Sequence, residues 1–154
     1  VVGAGEREEE YKRVTKDKGL EGRVRYLGSV DEKAIEEILC AMDLLVLPSF
    51  MEGMPYVILE AMACSLPVVS TLIDGIPEAA PDNDAGLLVE PGDVAELGRA
   101  ISRLVGDEDL RNTLGANARR RFERLFTLEN HISRMQTLYI GSIGGDSTTR
   151  RAPR

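Results

Sequence analysis

Short β-rich apolar runs, separated by longer stretches of helical periodicity, limit what this chain can fold into. Val24-Arg25-Tyr26-Leu27, Leu44-Leu45-Val46-Leu47, Pro67-Val68-Val69-Ser70 and Gly86-Leu87-Leu88-Val89 read as strands. Most lack the polar alternation of a half-exposed sheet, so burial on both faces is expected. Residues 6–18, 31–42, 55–64 and 94–104 carry helical patterns between them. Gly19 follows the first as a C-terminal stop, and Asp93 with Glu96 reads as a capping box for the fourth. Strand and helix alternating at this spacing predict a parallel sheet wrapped by helices, an α/β, Rossmann-like fold. After Gly106 the pattern is wholly helical, over 107–126 and 127–140, with Thr127 as N-cap of the last helix. The stretch 141–154, rich in Gly, Ser, Thr and Arg, reads as a disordered tail, leaving one domain over 1–140.

A chain of 154 residues, 43% hydrophobic, is long enough and apolar enough for one domain with a real core. Its formal net charge of -7 argues against a nucleic-acid partner, which a basic face would serve. His131 is the only histidine, so no zinc-type cluster is expected. Cys40 and Cys64 sit in apolar segments and read as reduced core residues, which points to the cytoplasm. There is no signal-peptide pattern and no apolar run long enough to cross a bilayer. The opening Val1-Val2-Gly3 resembles the end of a strand, so the chain is expected to begin inside a domain.

Open parallel sheets bind ligands at the carboxyl ends of their strands, beside helix N-termini. The loop Pro48-Ser49-Phe50-Met51-Glu52-Gly53-Met54-Pro55 joins a strand to a helix in that position. Its helix is apolar on nearly every face and is expected to be buried all round, yet Glu60 stands in the middle of it. A buried carboxylate needs either a structural partner or a ligand whose hydroxyls donate to it. Pro55 suits the first helical position, which leaves Gly53 and Met54 at a helix mouth whose amides favour phosphate. Helical rise then places Glu60 about 7.5 Å from that mouth, with Glu52 on its other side. Two carboxylates flanking an anion site suit a nucleotide sugar, which has hydroxyls at both ends and phosphates between. A second turn, Asp74-Gly75-Ile76-Pro77-Glu78, is expected at the same sheet edge, where Gly75 would permit close approach of a diphosphate.

The stretch from Leu47 to Thr71, with Glu52 and Glu60 separated by seven residues, resembles the signature of family 4 glycosyltransferases, also called glycosyl transferases group 1. Gly75-Ile76-Pro77-Glu78, Gly86-Leu87-Leu88-Val89-Glu90-Pro91-Gly92-Asp93 and Val24-Arg25-Tyr26-Leu27-Gly28 are similar to other segments of that family. The resemblance implies the carboxyl-terminal half of a GT-B fold, truncated at its N-terminal edge. It also implies retaining transfer of a sugar from a nucleotide-sugar donor, generally without a metal. By the same resemblance Glu60 accepts from the ribose hydroxyls and Glu52, the catalytic candidate, faces the transferred sugar. Gly53, Met54 and Pro55 line the helix mouth beside the diphosphate and sugar, and Tyr26 and Leu27 meet the base largely through backbone atoms. The acceptor is left open among a lipid carrier, a polysaccharide and a small molecule. An absent N-terminal domain is expected to bind that acceptor and to be the part that touches the inner face of the membrane.

The sequence departs from the family pattern in places. The basic pair that would bind the diphosphate has no counterpart, Ser65 stands where a glycine is usual, and Asp74 replaces a small residue. Two other classes fit the same residues: a non-catalytic nucleotide-sugar-binding module or subunit, and a sugar-nucleotide epimerase. Gly3-Ala4-Gly5 makes a poor dinucleotide fingerprint, since Glu8 occupies the third glycine position. Arg119-Arg120-Arg121 and Arg124 read as a solvated helix face, and His131 as a surface or packing residue.

Overall fold

The computed structural model describes the backbone of residues 1–144 and the side chains of residues 1–141. The chain divides into two compact units, Val1–Ala41 and from Met42 onward.

The first unit carries α1 (Glu8–Asp17) and α2 (Glu32–Cys40). Three glutamates, Glu8, Glu9 and Glu10, fill the first turn of α1, where the helix dipole favours negative charge. Its other end closes on Gly19 at φ 64°, as the Gly19 N–H donates to Lys16 C=O and the Leu20 N–H to Thr15 C=O. Asp31 caps α2 by accepting the Ala34 N–H at 2.8 Å. Val24–Leu27 is not a regular strand, contrary to expectation. The Val24 N–H donates back to Leu20 C=O, and beyond it the Val1 amino group donates to Arg25 C=O and the Leu27 N–H to Val1 C=O.

The second unit is a parallel three-stranded sheet, β1 (Leu45–Leu47), β2 (Val68–Thr71) and β3 (Gly86–Val89), in the order β1-β2-β3. Leu45 pairs with Val68, and Val68 with Gly86, so the carboxyl ends of all three strands lie at one edge. Helices α3 (Tyr56–Ala63), α4 (Ile76–Ala79), α5 (Val94–Gly106), α6 (Glu108–Leu125) and α7 (Leu128–Gly144) complete the unit. Helix α5 packs on β2 and β3, α3 packs on β2, and α6 packs on α3, α5 and β3. The core joins Val69, Leu87 and Val89 of the sheet to Ala100 and Leu104 of α5 and Leu114 of α6. The central strand β2 is buried along its whole length and β3 nearly so, as expected of a covered parallel sheet. The outer strand β1 is only half-buried, which departs from that expectation.

Local signals fared unevenly. Asp93 caps α5 by accepting the Glu96 N–H at 2.8 Å. The reciprocal half of the capping box is absent, because the Glu96 carboxylate pairs with Arg99 and the Asp93 N–H donates to Glu90 C=O. Thr127 accepts the Asn130 N–H at 3.3 Å and so caps α7. Helix α7 runs on to Gly144, past the expected end at Ile140, and the rest of the expected disordered tail lies outside the described residues. The segment Ile76–Ala79, read as a turn, is a short helix. Cys40 and Cys64 are each disulfide-bonded, which corrects their reading as reduced residues and removes that support for a reducing compartment.

The arginines of α6 are not a merely solvated face. Arg111 donates to the carbonyls of Leu104 and Val105 at the end of α5, and Arg119 donates to Ala63 C=O at the end of α3. Arg121 donates to Glu78 C=O at 2.7 Å and Ala79 C=O at 2.8 Å, at the end of α4. Three helices thus have last-turn carbonyls, unsatisfied within the helix, answered by cations from one neighbour.

Candidate functional site

The expected site lies where the carboxyl end of β1 gives way to the loop 48–55 and helix α3. Two hydroxyls from the buried strand β2 hold the start of this loop. Ser70 Oγ donates to Leu47 C=O at 2.7 Å and Thr71 Oγ1 to Ser49 C=O at 2.6 Å. Ser49 Oγ in turn donates to Glu52 Oε1 at 2.8 Å. Beyond Glu52 the loop meets the turn after β2. The Glu52 N–H approaches Asp74 Oδ2 at 3.4 Å, and the Gly75 N–H donates to Gly53 C=O at 3.1 Å. A Cβ on Gly75 would lie 2.4 Å from that carbonyl oxygen, so the two loops can meet only because residue 75 is glycine. Close approach was the reason given for Gly75, and the partner approached here is the backbone of Gly53.

Pro55 is buried at the N-cap of α3, with φ -71° and ψ 115°, and Tyr56 opens the helix one residue later than expected. Among the described residues the N–H groups of Gly53, Met54, Tyr56 and Val57 donate to nothing. The helix mouth therefore has free amides at the positive end of the dipole.

Helix α3 is not buried all round, and this corrects the argument that led to Glu60. Ile58, Ala61 and Met62 are fully buried, but Tyr56 is 79% exposed and Glu60, one turn on, is also exposed. Burial therefore does not force a partner on Glu60, and its carboxylate accepts no hydrogen bond from the described residues. It stands on an open stripe of α3 beyond the free amides. Glu52 is half-buried, while Phe50 and Met51 before it are 77% and 83% exposed.

Glu52, Gly53, Met54, Pro55, Glu60 and Gly75 thus belong to one stretch of the second unit. Tyr26 and Leu27 belong to the first. There Tyr26 Oη lies 2.7 Å from Thr15 Oγ1, and the Leu27 N–H is already given to Val1. Both residues that break the family pattern adopt left-handed backbone, Ser65 at φ 59° and Asp74 at φ 42°, conformations that glycine holds without strain. His131 is exposed. Among the described residues no set of three or more acidic, histidine or cysteine side chains is grouped to hold a metal ion. A hollow of about 600 Å³ lies elsewhere, lined by Asp84, Asn117, Arg120, Arg121, Glu123 and Arg124, and none of the expected donor residues borders it.

Sequence reasoning missed Ser49 and Thr71 as parts of this site, and the approach of the Asp74 carboxylate to the Glu52 N–H. Ser49 stands three residues before Glu52, which was a usable local signal. The reach of Thr71 and Asp74 across 22 residues had none.

Comparison with known proteins gives a consistent result. The family described as "Glycosyl transferases group 1" matches residues 1–121. N-acetyl-alpha-D-glucosaminyl L-malate synthase of Bacillus anthracis is 35% identical over 133 residues, covering 86% of this chain and 34% of that protein. Sucrose-phosphate synthase from Thermosynechococcus elongatus superposes with a TM-score of 0.83 at 29% identity, over 94% of this chain and 38% of that one. HepE of Anabaena, solved in complex with UDP-glucose, superposes with a TM-score of 0.80 at 29% identity, over 90% of this chain and 40% of that one. These neighbours are GT-B glycosyltransferases.

Proposed function

This chain belongs to the glycosyl transferases group 1 family, and from that premise we propose that it is the donor-binding part of a retaining glycosyltransferase. The chain spans about a third of the length of the curated relative it matches, 34%. Transfer itself, the acceptor and the companion domain therefore belong to the proposal. The observation that carries it is the Glu60 carboxylate, without a partner among the described residues, on the open stripe of α3 beyond a mouth of free amides.

In this reading the diphosphate sits at the mouth of α3, where the N–H groups of Gly53, Met54, Tyr56 and Val57 and the helix dipole favour negative charge. The same groups stabilise the charge that grows on the leaving diphosphate as the glycosidic bond breaks. Glu60 accepts from the ribose hydroxyls and Glu52 faces the sugar, with one of its oxygens already engaged by Ser49. For Tyr26 and Leu27 the proposed role is contact with the base. The Anabaena neighbour was solved with UDP-glucose, which supports a nucleotide sugar as the donor class. A binding module without transfer activity is the second reading, favoured by the exposure of Tyr56 and Glu60 on α3. Among the described residues no helix is long and apolar enough to cross a membrane, and cytoplasmic residence belongs to the proposal.

Calorimetric titration with UDP, GDP and ADP tests this. Glu60→Ala removes acceptance from two ribose hydroxyls and should weaken the bound diphosphate by about 1.5–3 kcal/mol. A folded Glu60→Ala chain that binds as tightly as the parent would end the assignment. Glu52→Gln should cost more affinity for the nucleotide sugar than for the bare diphosphate, and equal losses would remove Glu52 from the sugar end.

A further inference from the structure

We propose that Ser49 is a positioning residue that sets the Glu52 carboxylate for the sugar end of the donor; this rests on the donor-site reading above. Glu52 lies in a loop whose preceding residues, Phe50 and Met51, are 77% and 83% exposed. A glutamate in such a loop has three side-chain torsions to order, and ordering them opposes any contact it makes with a ligand. Two consecutive hydrogen bonds connect this carboxylate to the buried central strand of the unit. Thr71, 3% exposed on the central strand, donates to Ser49 C=O at 2.6 Å. Ser49 then donates its own hydroxyl to Glu52 Oε1 at 2.8 Å, a bond strengthened by the carboxylate charge.

The tie is repeated one step earlier in the chain. Ser70, fully buried, donates to Leu47 C=O at 2.7 Å, so Ser49 is anchored on both its own carbonyl and the strand that leads to it. On the far side, Gly53 C=O is held by the Gly75 N–H. The segment between Ser49 and Gly53 is thereby fixed at both ends, and the Ser49 hydroxyl selects the direction of the one acidic side chain inside it. Engagement of Oε1 leaves Oε2 with its full acceptor capacity for sugar hydroxyls. This is support of a ligand-facing group by a neighbour whose own position is locked.

The test compares Ser49→Ala with Ser49→Thr, which keeps the hydroxyl. NMR side-chain couplings report the Glu52 rotamers without any ligand: one dominant rotamer is expected in the parent and in Ser49→Thr, and averaging in Ser49→Ala. Titration with UDP and UDP-glucose, and with GDP and GDP-mannose, reports the consequence. In Ser49→Ala the affinity ratio of nucleotide sugar to nucleoside diphosphate should fall roughly 3- to 10-fold, the equivalent of one hydrogen bond, and Ser49→Thr should restore it. A general loosening of the fold would lower both affinities together and leave the ratio in place, which would overturn the proposal. An unchanged Glu52 rotamer in Ser49→Ala would overturn it whether or not a ligand binds. Failure of the parent chain to bind any of the four probes would count against the donor-site reading, while the rotamer comparison still decides the tie between Ser49 and Glu52.

Discussion

The burial first expected of Glu60 is absent, and its candidacy rests on other grounds. Its helix is apolar enough to be buried all round, but α3 covers only the face of Ile58, Ala61 and Met62 and leaves Tyr56 and Glu60 open. What singles Glu60 out is its spacing from Glu52 and its unengaged carboxylate, rather than a desolvation cost. At Gly75 the close approach found is to the backbone of Gly53. Adding a methyl group there drives Cβ to 2.4 Å from Gly53 C=O, and that oxygen belongs to backbone already tied by the Gly75 N–H. Gly75→Ala should therefore destabilise the unit by about 1–3 kcal/mol, read by urea unfolding, and push the loop of Glu52 outward. A Gly75→Ala chain as stable as its parent would mean the two loops part at no cost.

Elements follow their end signals where those signals are local. The caps at Asp93 and Thr127 and the glycine stop at Gly19 all occur as read, because donor and acceptor are at most a few residues apart. The capping box failed by half, since Glu96 had a better partner in Arg99 one turn along. Competition of this kind is visible in α1, where Arg7 holds Glu10 through two bonds of 2.8 and 2.9 Å. That hydrogen bonding, with the charge of Arg7, keeps the Glu10 carboxyl below its usual value of 4.5. A carboxyl lowered in the folded state stabilises above its unfolded pKa, and the contribution disappears as pH falls through the lowered value. Both side chains reach solvent, so the effect of the pair on stability is small. Arg7→Ala should return the Glu10 titration, followed by NMR at the side-chain carboxyl carbon, toward 4.5. A titration midpoint unmoved by that change would assign the shift elsewhere.

At the scale of the whole molecule, stability of the second unit depends on the contact of α5 and α6 with the sheet. Leu104 is fully buried in the core that Val69, Leu87, Val89 and Leu114 share. Leu104→Ala should cost about 2–5 kcal/mol, measured by denaturant unfolding, and a loss below ~1 kcal/mol would show that the core can collapse around the gap. Helix α6 also closes the carbonyl ends of α3, α4 and α5 through Arg119, Arg121 and Arg111. A sequence shows these arginines only as a charged run on a helix. Their targets lie 7, 42 and 56 residues away, and only packing brings them within reach.

By itself the sequence determined the alternation of strand and helix, the parallel sheet, most helix ends and the segment that carries the expected donor residues. Each of these follows from periodicity, capping chemistry or motif spacing, which act over a few residues. Tertiary structure alone decided which face of α3 is covered, that β2 hydroxyls hold the carbonyls of Leu47 and Ser49, and that both cysteines are disulfide-bonded. Burial belongs to whatever packs against a face, and a hydrogen bond across the sheet belongs to its register. Neither is encoded in the few residues around the group concerned.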